Sequence, residues 1–123
     1  MQNQNELKEI LKDYQTDGDI VELWNVVSSD ALVLTTPNDI ISVLSRSKTN
    51  YIRVGYGDTI FKAYENGYAK GGLCKLVHIY FSERGMCLID LYKFIESLGD
   101  DIIFGYTKDE IINNGVKLVM IFN

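Results

Sequence analysis

The sequence has little of several residue types: one proline, one tryptophan, one histidine and two cysteines among 123 residues, and nowhere a cluster of basic ones. Its 12 lysines and arginines are outnumbered by 17 acidic residues, for a formal charge of −5. They fall as singles such as Lys48, Arg53, Lys62, Lys75 and Arg84. Binding a phosphate backbone or an anionic lipid surface needs clustered cations, so neither nucleic acid nor membrane is expected as a partner. Long hydrophobic runs are missing too. Ala31 to Leu34, and Val116 to Phe122 with Lys117 inside it, fall far short of the roughly 20 residues of a membrane span. Met1 to Glu6 is polar and acidic, unlike a secretory leader.

Cys74 and Cys87 form no Cys-x-x-Cys pair and read as small reduced hydrophobes in a cytoplasmic protein. With His78 they give spacings of 4 and 9, which match no zinc pattern, so no metal and no cofactor are expected. A chain of this length buries roughly two thirds of its unfolded surface, enough for a core without staples. The composition, 46% apolar and 24% charged, describes one soluble domain and is short for a complete nucleotide-driven enzyme.

The residues that are present alternate between strand and helix patterns. Asn3 or Asn5 caps a first helix running to about Tyr14, with Leu7, Ile10 and Leu11 on one face, and Thr16, Asp17 and Gly18 break it. Ile20 to Val27 is β-favouring, and Asp30 to Thr35 reads as a buried strand. The single proline then starts a helix: Thr36 caps it, Pro37 takes its first position, and Asp39 lies where the helix dipole favours an acid. Ile40, Ile41, Val43 and Leu44 form its apolar stripe.

Tyr51 to Val54 alternates as a strand, and Gly55-Tyr56-Gly57-Asp58 is expected to turn the chain into a helix capped by Asp58. The inner face of that helix is expected to hold Ile60, Phe61, Ala63, Tyr64 and Tyr68, with Gly71-Gly72 stopping it. Cys74 to Phe81 is a strand, followed by a helix carrying Leu88, Leu91, Tyr92, Ile95 and Leu98 inward and closed by Gly99. Ile102 to Tyr106 and Val116 to Phe122 are strands joined by the polar stretch Thr107 to Gly115. The expected fold is α+β. It has a β-α-β-α-β-β core over residues 51–123, one mixed sheet covered by two helices, with residues 1–50 as an N-terminal extension of the same single domain.

Several motifs of this core resemble the C-terminal subdomain of the FtsZ/tubulin family. They are the strand ending in Val54-Gly55-Tyr56-Gly57, the helix with Ala63 and Ala69, and the strand Leu76-Val77-His78-Ile79. The closing pattern Ile102-Ile103-Phe104-Gly105, Asp109, Val116-Lys117-Leu118-Val119-Met120-Ile121 is also similar to the family's closing hairpin. The resemblance covers about 70 residues. It implies a tubulin C-terminal-domain-like fold and a role in filament assembly. The family's Gly-rich nucleotide loop is not in this sequence, so the resemblance carries no GTP site. Of the three positions of the family's synergy loop, which fall on Leu34, Thr36 and Asp39, only Asp39 keeps its acid. A second register aligns Asp30 to Asp39 with a string from the GTPase side of the family, and one sequence does not separate the two.

Weighed residue by residue, no catalytic group emerges. Gly55-x-Gly57 reads as a plain turn, since Ile60 takes the third glycine position of a dinucleotide fingerprint. His78 lies mid-strand, sharing a face with Leu76 and Tyr80, and has no nucleophile or carboxylate near it in sequence. Asp100-Asp101 and Asp109-Glu110 read as solvated turn charges. Tyr64, Tyr68 and Tyr92 fall on expected core faces, leaving Tyr56 and Tyr106 as contact anchors. The expected function is therefore a non-catalytic protein-interaction or assembly module, binding FtsZ or a second copy of itself. Its contact candidates are Thr36, Asn38, Asp39, Tyr56, Tyr106 and Asp109. The rival reading is a small oligomeric enzyme or small-molecule binder of chorismate-mutase-like architecture, with Arg53, Lys75 and Arg84 as its cations.

Overall fold

The computed structural model describes residues 15–18, 20–70, 72–82, 88–109 and 115–123. The helix expected between Asn3 and Tyr14 lies outside them. The elements, in chain order, are β1 (Gln15–Gly18), α1 (Ile20–Ser28), α2 (Pro37–Leu44), β2 (Thr49–Gly57), α3 (Ile60–Gly67), β3 (Cys74–Phe81), α4 (Leu88–Ser97), β4 (Ile103–Lys108) and β5 (Val116–Phe122). From β2 onward this is the expected β-α-β-α-β-β order, in one mixed five-stranded sheet ordered β1-β2-β5-β3-β4. The class is α+β.

Strand β5 holds the centre because its sequence suits burial on both faces: Leu118 to Phe122 are all fully buried. It runs antiparallel to both β2 and β3, while β1 is parallel to β2 and β4 parallel to β3. The expected closing hairpin is therefore corrected. Strand β3 lies between β4 and β5, and β4 is an edge.

Helices cover both faces. On one, Leu23 and Val26 of α1 and Ile40, Val43 and Leu44 of α2 pack on Ile52, Leu76, Tyr80, Val119 and Ile121. On the other, Ile60 and Ala63 of α3 and Leu91 and Phe94 of α4 pack on Val77, Ile79, Leu118, Met120 and Phe122.

The β-favouring stretch from Ile20 is a helix. Ile20, Leu23, Trp24 and Val27 recur at i, i+3, i+4 and i+7, and packing of that stripe on the sheet outweighs the poor helix propensity of its branched residues. Residues 16–18, read as a break, form the short strand β1 instead. Residues 30–35 are not a buried strand: Leu32 and Leu34 are more than 60% exposed, and among the described residues the one bridge is Val33 to Tyr106. The start of α2 forms as expected. Thr36 Oγ1 accepts from Asp39 N at 3.1 Å, and Asp39 Oδ2 accepts from Thr36 N at 3.0 Å, a reciprocal capping box with Pro37 in the first turn.

The Gly-x-Gly pair does not turn the chain. Gly55 and Gly57 belong to β2, and their missing side chains let α3 lie directly on the strand. A Cβ at Gly55 would sit 1.9 Å from the Ala63 carbonyl oxygen. The cap of α3 is Thr59, accepting from Lys62 N at 3.1 Å, and not Asp58; α3 ends at Gly67, ahead of Gly71-Gly72. The inward faces are also narrower than expected. Phe61 and Tyr68 of the α3 region and Leu88 and Tyr92 of α4 are exposed, whereas Phe94, absent from the expected stripe, is buried.

Candidate functional site

On the α1/α2 face a chain of polar side chains crosses the core. His78 is fully buried on β3, on the same face as Leu76 and Tyr80 as its place in the strand requires. Its Nδ1 lies 2.7 Å from Thr35 Oγ1 and its Nε2 2.7 Å from Thr107 Oγ1. Thr107 Oγ1 is in turn 3.2 Å from Ser29 Oγ, which donates to Val26 O at 2.8 Å. Reading back from that carbonyl orders the protons: Thr107 donates to Ser29, His78 Nε2–H donates to Thr107, and Nδ1 accepts from Thr35. The neutral imidazole satisfies the chain, and burial holds its pKa down at about 4.

Gly105 makes room for this arrangement. A Cβ there would meet Thr35 Oγ1 at 2.4 Å, so the Leu32 to Thr35 segment is seated on bare backbone.

Beside it, Lys117 Nζ bonds Glu22 Oε2 at 2.8 Å and lies over the rings of Tyr56 and Tyr80, 5.7 and 5.2 Å from their centroids. Burial opposes the ammonium, but the hydrogen bond and charge of Glu22 outweigh it and the Lys117 pKa is raised. Burial also raises the Tyr80 pKa, and this phenol hydrogen-bonds Ser29. These contacts tie α1 and residues 32–35 to the sheet. They offer no approach for a substrate, because Thr35, His78 and Thr107 are at most 7% exposed.

The other face carries an exposed apolar groove. Leu88, Leu91, Tyr92 and Ile95 of α4 with Phe104 and Tyr106 of β4 line a groove of about 220 Å³. Leu88 and Tyr92 are each 74% exposed, Ile89 65% and Phe104 37%. The sequence pattern hides this surface, because Leu88 and Tyr92 share a helical spacing with the buried Leu91. The signal lay in Phe94, which completes a tighter inward stripe with Leu91.

The six contact candidates do not converge. Thr36 and Asn38 are exposed at the start of α2, and Asp39 is engaged in the capping box. Tyr56 is 58% exposed, beside Lys117. Tyr106 is half-buried in the groove and bridged to Val33. Asp109 closes the sheet through its N–H to Phe81 O at 2.7 Å.

Of the cations in the enzyme reading, Arg53 bonds Asp17 O at 2.8 Å, Lys75 borders a small cleft with Tyr64, Ser97 and Asp101, and Arg84 lies outside the described residues. Cys74 is buried, its thiol pushed up to about 12 by desolvation; Cys87 is outside the described residues. Among the described residues no group of three or more His, Cys, Asp or Glu could hold a metal ion, and no helix is long and apolar enough to cross a membrane.

The fold is shared with solved structures. An FtsZ dimer from M. jannaschii superposes with a TM-score of 0.61 at 19% identity, over 81% of this chain and 34% of that one. A tryptophan-to-tyrosine mutant of M. jannaschii FtsZ gives 0.60 at 18% identity, over 82% of this chain and 35% of that one. The fold is FtsZ-like. It is that of the FtsZ C-terminal domain. The chain spans about a third of the length of the FtsZ chains it matches. No family model and no curated protein matches the sequence. In this FtsZ-like domain the exposed groove and the buried polar chain lie on opposite faces of the sheet.

Proposed function

We propose that this domain is a non-catalytic interaction or assembly module acting in the cytoplasm, which docks on a protein partner: an FtsZ filament or a second copy of itself. The observation that supports it is the run of exposed apolar side chains Leu88, Ile89, Tyr92 and Phe104 around one groove, while the titratable groups of the opposite face are consumed in holding the fold. Exposed apolar surface of this kind is costly unless a partner covers it. The matched M. jannaschii protein is itself described as an FtsZ dimer, which makes a self-associating or FtsZ-binding role the natural first test. Thr36, Asn38 and Tyr56 are available as further contacts; Tyr106 contributes through the groove, and Asp39 and Asp109 act by fixing the backbone around them.

The test is co-sedimentation of the purified domain with polymerised FtsZ from the same cell, alongside sedimentation velocity of the domain alone. Co-pelleting, or a change in the mass of pelleted FtsZ, supports the filament form. Concentration-dependent dimerisation supports the self-association form. A monomer that neither pellets nor alters FtsZ overturns both.

A further inference from the structure

Among the described residues one asparagine is followed by a glycine: Asn66-Gly67, in the last turn of α3. The fold asks for both. A Cβ on Gly67 would lie 2.7 Å from Met120 Cε and 2.8 Å from Gly55 N, so only glycine lets the end of α3 rest on β2. Asn66 Nδ2 donates to Tyr56 O at 2.6 Å, beyond the reach of β1, which pairs with β2 no further than Ile52.

Packing and hydrogen bonding thus join two residues whose adjacency is chemically reactive. With no side chain on the following residue to hinder it, a glycine nitrogen can close on the carboxamide carbon of the asparagine before it. In the native turn that approach is held off twice: Gly67 N–H is committed to the helix ladder, and the Asn66 carboxamide is committed to Tyr56 O. The lock is a weak one. Helix α3 has 8 residues, Asn66 is exposed to water, and the chain leaves the helix directly after Gly67, with Tyr68 extended at φ −61° and ψ 135° and its N–H 3.5 Å from Glu65 O. Terminal turns open at far lower cost than the whole fold.

We propose that Asn66 is a site of spontaneous deamidation, gated by opening of the last turn of α3, and that its conversion unseats α3 from β2.

Once the turn opens, Gly67 N loses its proton to water or hydroxide and attacks Asn66 Cγ. A C–N bond forms, the Cγ–Nδ2 bond breaks, and ammonia leaves, closing a five-membered succinimide. Water then opens the ring at one carbonyl or the other, giving aspartate or isoaspartate. The balance is one water in and one ammonia out, with no oxidant and no enzyme.

Either product removes what held the turn. The donor to Tyr56 O becomes a carboxylate, which only accepts and which repels that carbonyl. Its charge lies at the C-terminal end of a helix, where the dipole disfavours an anion. Isoaspartate also lengthens the main chain by one carbon and displaces Gly67 from its seat on Met120 and Gly55. Phe61 and Tyr64 of α3 pack edge-on against Phe94 of α4, so the loosening reaches the helix that walls the groove.

The experiment ages the full chain in mildly alkaline buffer and follows residue 66 by peptide mapping and mass spectrometry with isoaspartate detection, which separates it from the second Asn-Gly pair, Asn114-Gly115. The expected result is isoaspartate and aspartate at residue 66 of the folded protein, forming faster as the pH rises and roughly tenfold or more slower than in the urea-unfolded chain. His78→Phe, which destabilises the far face without touching α3, leaves that rate within about twofold, because the gate is local. Asn66→Gln, whose ring closure needs a six-membered imide, accumulates no acid at this position. Asn66→Asp, which carries the product's charge from the start, speeds hydrogen exchange of the α3 amides about tenfold while those of β3 are unchanged.

A residue 66 that stays an amide in the folded protein while the unfolded chain converts overturns the site. Acceleration by His78→Phe in proportion to its loss of stability means conversion from the globally unfolded chain and overturns the gate. Unchanged exchange in Asn66→Asp overturns the unseating of α3.

Discussion

The two faces of this sheet are held by different physics. The α1/α2 face is pinned by directional contacts: the capping box at Thr36 and Asp39, the chain from Ser29 through Thr107 and His78 to Thr35, and the Lys117–Glu22 pair. The α3/α4 face is held by proximity and area. Glycines bring α3 onto β2, and Phe94 packs edge-on against Phe61 and Tyr64 at centroid distances of 6.1 and 5.5 Å. Polar contacts fix where an element sits and depend on pH; dry packing supplies stability and tolerates acid. The exposed groove lies on the dry side, where an added apolar partner extends packing already present.

The sharpest way to break the dry face is Phe94→Ala, which opens a cavity beneath α4. Urea denaturation is expected to show a loss of about 3–5 kcal/mol with an unchanged slope. Next is Gly55→Ala. Its new methyl meets backbone rather than a movable side chain, so α3 must shift as a whole, at a cost of about 3 kcal/mol by the same assay.

The polar face is separated from the dry one by pH. His78 keeps its proton off until about 4 when folded, against an ordinary value of 6.5, so between those values the unfolded chain binds more protons. Its stabilising contribution is complete above pH 6.5 and is lost as the pH falls toward 4, by up to about 3 kcal/mol. Equilibrium unfolding across that range measures it, and His78→Phe should flatten this part of the profile while lowering stability at pH 7. An unchanged acid limb in the variant would remove His78 as its cause. The smallest effect expected is Asp39→Ala, which removes half of the capping box for about 1 kcal/mol by urea denaturation at pH 7.

Legibility in the sequence followed how local each cause is. The start of α2 was readable because Thr36, Pro37 and Asp39 act within one turn, and β3 and β5 from the short apolar runs Cys74 to Phe81 and Val116 to Phe122. Residue 78 could be placed on a face by alternation, but its partners Thr35 and Thr107 stand 43 and 29 positions away, so the polar chain could not be read. Ile20 to Val27 misled because branched residues favour strands in isolation, and only a sheet to pack on makes their helical spacing decisive. Gly55 and Gly57 misled for a related reason: a glycine needed for close approach looks in sequence like a glycine needed for a turn.

By itself the sequence determined the α+β class, the order of the core elements, the local cap of α2 and the resemblance to the FtsZ C-terminal subdomain, because periodicity and capping are properties of neighbouring residues. Only the tertiary structure decided that β3 separates β4 from β5, that helices cover both faces, and that Leu88 and Tyr92 point to solvent. Those outcomes depend on which strands meet across long sequence separations, where the burial gained by one arrangement over another is settled by the whole sheet and by no single segment.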